Sequence, residues 1–172
     1  MKLFIVGLLV GLFALPVLGW LYVRFGYAPV ATAASPLPFE RRLAHMALNA
    51  RIQKEAPKSV PIEANEQSYT AGAHVYRTNC AICHGLPGQQ APATSKGMFP
   101  RPPQLFKGHG VTDDPPGETY WKVANGIRLT GMPAYTGSLS ETEMWQVSLL
   151  LANADKLPAK VRADLAQALD IR

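Results

Sequence analysis

The hydrophobic and polar positions divide the chain into stretches of different character. From Leu3 to Val23 no residue is charged, and these 21 positions read LFIVGLLVGLFALPVLGWLYV. As one helix they rise about 31 Å, the thickness of a bilayer's hydrocarbon core. Trp20 and Tyr22 close the run, where aromatic side chains favour the membrane interface. Two readings stay open: a retained anchor, or a signal peptide with Ala31-Thr32-Ala33 as its cleavage site. Length favours the anchor, because signal h-regions run only about 7–15 residues.

After the Pro/Ala spacer GYAPVATAASPLP the pattern turns helical. Phe39, Leu43, Met46, Ala47 and Ala50 share one face, with Arg41, Arg42, His45, Arg51 and Glu55 elsewhere. Pro57 and Pro61 end that helix. It lies on lipid headgroups, docks on a partner subunit or packs on its own domain, and periodicity does not choose. Thr70 is placed to cap a helix through Ala71, Ala73, Val75 and Tyr76. The following stretch, GLPGQQAPATSKGMFPRPPQLFKGHG, is too broken for regular structure. A short helix is expected from Glu118 to Asn125, stopped by Gly126. Ser140 and Glu143 form a capping box for a helix burying Met144, Val147, Leu150 and Leu151. Beyond Pro158 a last helix carries Val161, Leu165, Ala168 and Leu169. No strand of normal length is convincing, so the predicted class is all-α, divided into an anchor (1–26), a juxtamembrane linker with its amphipathic helix (27–64) and a C-terminal domain (65–172).

Composition narrows the function. Apolar residues make up 48% and charged residues 17%, which excludes a disordered polyelectrolyte. The net charge of +5 invites a nucleic-acid reading. Its distribution argues otherwise: residues 1–64 carry seven basic against three acidic residues, while residues 65–157 balance at seven each. The excess thus adjoins the apolar run, where a membrane surface would feel it. No nucleic-acid partner is expected.

Two cysteines are too few for a disulfide framework or a four-thiolate zinc site. Their setting, Cys80-Ala81-Ile82-Cys83-His84, is the attachment motif of c-type haem. Two residues between the thiols let both sulfurs form thioethers along one porphyrin edge, and the adjacent His84 offers its imidazole to the iron. A thioredoxin-like pair would want a βαβ context, and a zinc site a further ligand. The sixth iron position has four candidates: Met98, His109, Met132 and Met144. Met144 falls on an apolar helix face and reads as core. Met132 stands between Gly131 and Pro133, which fix its backbone, and is favoured.

The stretch 68–157 resembles a class I c-type cytochrome, through AGAHVYRTN running into CAICHG, then NGIRLTGMPAY, then SETEMWQVSLLLAN. The resemblance implies a cytochrome c fold with one covalent haem c on Cys80 and Cys83, His84 as proximal and Met132 as distal ligand. It also implies that Gly72 and Tyr76 of the first helix pack against Trp145 of the last. A proline carbonyl of the RPPQL segment, Pro102 or Pro103, is expected to orient the proximal imidazole. Trp121, Arg101 and Arg128 are candidates for the haem edge or propionates, or else an ordinary core aromatic and solvated charges. The implied function is single-electron transfer without a small-molecule substrate. The expected setting is the bacterial inner membrane, with the haem domain in the periplasm and a membrane redox complex or other cytochromes as partners. A haem enzyme or gas sensor with an exchangeable distal ligand is the alternative.

Overall fold

A computed structural model describes residues 1–107 and 113–167. Its contacts separate two compact units, Met1–Arg41 and Arg42–Arg172. In the first, α1 spans Lys2–Arg24, and its 23 residues rise about 34 Å. None of its side chains is buried, and it is long and apolar enough to cross a membrane. Gly26, at φ +75°, turns the chain after it.

Helix α2 (Glu40–Glu55) leads into the second unit, whose compact body begins at Arg42, upstream of the expected boundary at 65. This helix has two apolar faces. Leu48, Ile52 and, just past its end, Ala56 follow i, i+4 spacing; Ile52 and Ala56 are buried. The stripe expected to be covered behaves differently, with Leu43 57% and Met46 61% exposed. Phe39 lies outside the helix, at φ +65°. The C-terminal end of α2 is seated on the domain, where the Pro57 carbonyl lies so close to Gly117 that a Cβ would overlap it.

The rest of the unit is α3 (Glu66–Val75), a π-helical turn (Tyr76–Cys80), α4 (Ala81–His84), α5 (Ala93–Lys96), α6 (Pro116–Asn125), α7 (Glu141–Ala152) and α8 (Ala159–Ala166). No strand occurs among the described residues. Helix α3 starts earlier than expected. Asn65, not Thr70, caps it, its side-chain oxygen accepting the Ser68 amide at 2.9 Å. Thr70 sits inside the helix and donates back to the Glu66 carbonyl at 2.9 Å. The capping box is present: the Ser140 hydroxyl accepts the Glu143 amide, and Glu143 accepts the Ser140 amide. Residues 168 and 169, expected on the last helix, lie outside the described residues.

Helices α3 and α6 pack directly on α7, and α8 packs on α3. The α3–α7 crossing is close because residue 72 is glycine. A Cβ there would overlap the Gln146 carbonyl and come within 3.1 Å of the Leu150 side chain. The aromatic partners differ from those expected. Tyr76 meets Phe106 edge-on at 5.0 Å, while Trp145 stacks on Tyr120 of α6 at 4.1 Å. Both Tyr76 and Trp145 are still core residues, so the rings are shared between the helices and the loops around them.

Candidate functional site: the Cys80–His84 motif and the Met132 loop

The motif sits where α3 changes pitch. The Ala81 amide donates to the Tyr76 carbonyl, five residues back, so one turn is wider than an α-turn just before the first cysteine. Thr78 and Asn79 side chains bond carbonyls at His74 and Val75, holding that turn. Ala81 is fully buried and Ile82 is exposed, so the four-residue helix α4 presents one side to the core. At its end Gly85 adopts φ +76°, and its carbonyl accepts the buried Tyr76 hydroxyl at 2.6 Å. Burial first, and Cys80 second, raise the Tyr76 pKa, so the hydroxyl stays a donor.

Cys80 and Cys83 are free thiols, each half-buried. Burial, then the neighbouring Cys83, pushes the Cys80 thiol up to about 12. A redox-active CxxC pair instead needs a lowered thiol pKa, so the thioredoxin-like reading loses its chemistry. The zinc reading loses its ligands: no cluster of three or more His, Cys, Asp or Glu side chains able to hold a metal occurs among the described residues.

His84 Nδ1 lies 2.8 Å from the Pro103 carbonyl. A carbonyl only accepts, so Nδ1 carries the proton and Nε2 keeps its lone pair for a metal. Burial lowers the imidazole pKa, and the Pro103 bond opposes that in part, so the ring is neutral at physiological pH, as iron ligation requires. Of the two candidate prolines, Pro103 holds the ring.

The Met132 loop is built from the end of α6. Carbonyls in the last turn of a helix lack intrahelical partners. Here the Tyr135 amide donates to Val123 at 3.0 Å and the Thr136 hydroxyl to Ala124 at 2.6 Å. Gly126, at φ +64°, lets residues 132–134 fold back: a Cβ would lie 2.6 Å from the Ala134 nitrogen and 2.8 Å from the Met132 oxygen. The Met132 carbonyl accepts the Ile127 amide at 3.2 Å, and its own amide donates to Thr130 Oγ1 at 3.1 Å. Met132 is therefore fixed on both sides and packs partly buried against the core.

One bond ties this loop to the motif. Tyr135 Oη donates to the carbonyl of Asn79, the residue before Cys80, at 3.0 Å. Burial and then the two cysteines raise the Tyr135 pKa, which puts both thiols within electrostatic reach of its ring. Nothing in the pattern of apolar positions marks Tyr135, Asn79 or Phe106 as site residues; a tyrosine three positions after a favoured methionine is the one signal available.

The Trp121 indole donates to Glu55 of α2 at 3.2 Å, which gives its polar end a structural partner. Arg101 and Arg128 are exposed. Met144 is core, as expected. Met98 packs against Gly131, so both methionines of interest border one loop. His109 lies outside the described residues.

These residues fit a c-type haem: two free thiols spaced for thioethers, an imidazole with an open Nε2, and a thioether on a braced loop. Residues 67–149, just under half of the chain, match the family model described as cytochrome c oxidase, cbb3-type, subunit III. This domain is a class I c-type cytochrome domain, an electron-carrying unit. Among solved structures, a chain of the reducing HAO-like protein complex of Kuenenia stuttgartiensis is similar, with 23% identity and a TM-score of 0.47. The match covers 54% of this chain and 46% of that one. No curated protein matches.

Proposed function

We propose that this protein is a membrane-tethered cytochrome that carries single electrons on one covalent haem c, beside or within a membrane redox complex. Haem c supplies a one-electron couple at its iron. Cys80 and Cys83 would form the thioethers, and His84 Nε2 and the Met132 thioether would hold the iron. Pro103 fixes the tautomer and plane of the imidazole, and the Thr130, Ile127 and Tyr135 contacts hold the methionine in place. With the iron held by two braced side chains, electron gain and loss would need little rearrangement and no small-molecule substrate would be required. Helix α1 is the anchor, retained in the bacterial inner membrane, with the cytochrome domain in the periplasm where such haem is attached. The family model's oxidase-subunit description supports a large membrane complex as partner.

The observation that carries the reading is the His84 to Pro103 hydrogen bond, which leaves the other ring nitrogen free on a histidine directly after the CxxC pair. The test is a redox titration of the detergent-solubilised full chain with carbon monoxide added to the ferrous form. A one-electron transition and an unchanged ferrous spectrum are expected. Rapid carbon monoxide binding would favour the enzyme or sensor alternative.

A further inference from the structure

Helix α2 carries more apolar surface than its own domain uses. Leu43, Met46, Ala47 and Ala50 follow the i, i+3, i+4, i+7 spacing of a single stripe, and all four are exposed. Ile52, which anchors the helix in the domain, stands nine residues from Leu43, about 180° around the axis. The stripe therefore faces away from the surface on which α2 is seated.

Two basic residues accompany the stripe. Arg42 flanks it on one side, and Lys54, four residues past Ala50, continues it at its C-terminal end. The helix's two acids are engaged: Glu40 accepts the Leu37 amide at 2.8 Å, and Glu55 pairs with Arg51 at 2.7 Å while accepting the Trp121 indole. An apolar strip with one cation along its side and another at its end is complementary to an anionic lipid headgroup layer. Four side chains without an aromatic fall far short of the roughly 20–30 residues a side of a stable protein interface. A lipid surface needs fewer contacts when the chain is already attached to it. Fifteen residues separate Arg24 from Glu40, and fully extended they reach at most about 50 Å, which keeps the stripe close to any bilayer that α1 crosses.

We propose that the Leu43–Ala50 stripe of α2 lies in the anionic headgroup layer of the membrane, setting the orientation of the cytochrome domain above it. This rests on the reading of α1 as a retained anchor. Lipid lies beneath the stripe, and the Ile52 face holds the domain on the opposite side, so α2 is a base plate between them.

The test is amide hydrogen exchange across residues 42–50 of the full-length holoprotein in nanodiscs of phosphatidylcholine alone or mixed with phosphatidylglycerol. Exchange is expected to be about thirtyfold slower in the anionic discs, from two basic residues at the surface. Leu43→Ser/Met46→Ser should abolish the difference, and Arg42→Glu/Lys54→Glu should weaken it, each with an intact haem spectrum. Equal exchange in both lipids would overturn the proposal. So would protection that rises with protein concentration, marking a second copy, or that appears only with an added protein partner. Release of the chain from native membranes by alkaline carbonate would refute the anchor instead. Retention together with lipid-independent exchange would refute the stripe alone.

Discussion

The hydroxyl of Tyr135 donates to the carbonyl of Asn79 across 56 residues of sequence, and this bond joins the loop holding Met132 to the turn that precedes Cys80. Loops pinned only at their own ends drift. This one is pinned at a third point, on the motif itself, so the two halves of the site move together.

Removing that hydroxyl should loosen the site without unfolding it. Tyr135→Phe leaves a half-buried carbonyl unpaired, and a cost of about 1–2 kcal/mol is expected. Thermal unfolding measures the loss. In the ferric protein the weak near-infrared thioether band should fade at a lower temperature than in wild type.

Haem attachment depends on both thiols. Cys80→Ala with Cys83→Ala should remove the haem stain that survives denaturing electrophoresis. A stain that persisted would refute covalent attachment through this motif.

Met98 and Met132 border the same glycine, so the distal ligand can be assigned by comparing them. Met132→Ala should lose the near-infrared band and bind added imidazole or carbon monoxide. Met98→Ala should keep the band. The opposite pattern would move the ligand into the loop before α6.

At the α3–α7 crossing there is no room for a side chain. Gly72→Ala would drive a methyl into the Gln146 carbonyl and the Leu150 Cβ, both parts of packed helices. Overpacking of this kind costs about 1–3 kcal/mol, read as a lower denaturation midpoint with an unchanged slope.

The capping box makes stability depend on pH. Bonds from the Ser140 hydroxyl and then the Ser140 amide hold the Glu143 carboxyl below the usual carboxylate range. A carboxyl depressed in the folded state stabilises the fold above its unfolded pKa, and that contribution is lost as the pH falls through the folded value. Ser140→Ala should therefore destabilise clearly at neutral pH and much less in acid below both values. Denaturant midpoints at the two pH values provide the check.

What the sequence revealed was the chemistry that is local along the chain. Cys80, Cys83 and His84 are contiguous, and Ser140 and Glu143 are one turn apart, so spacing alone defines them. The partner of His84 was narrowed to two adjacent prolines, and only the folded loop selects Pro103. Periodicity found a stripe on α2 but not its direction. Leu48, Ile52 and Ala56 form a second, shorter series on the same helix, and which series meets the domain depends on α6. Asn65 was overlooked as a cap because Thr70 also fits the pattern; the earlier start adds a turn to the helix. Rings of comparable size can exchange partners inside a core, and this is why Trp145 stacks on Tyr120 rather than joining Tyr76.

The wide turn at Tyr76–Cys80 places one residue more between Gly72 and the first cysteine than a regular α-helix would need. That surplus sets the phase of the haem motif relative to the α3–α7 crossing. Were the same residues to close into regular α-turns, everything beyond them would rotate by about 100° relative to Gly72. The thiols and His84 would then meet a different wall of the core. A relative with the same residues but no wide turn could conserve every side chain of the site and still aim them elsewhere, so the width of this turn constrains divergence as strictly as the identity of its ligands.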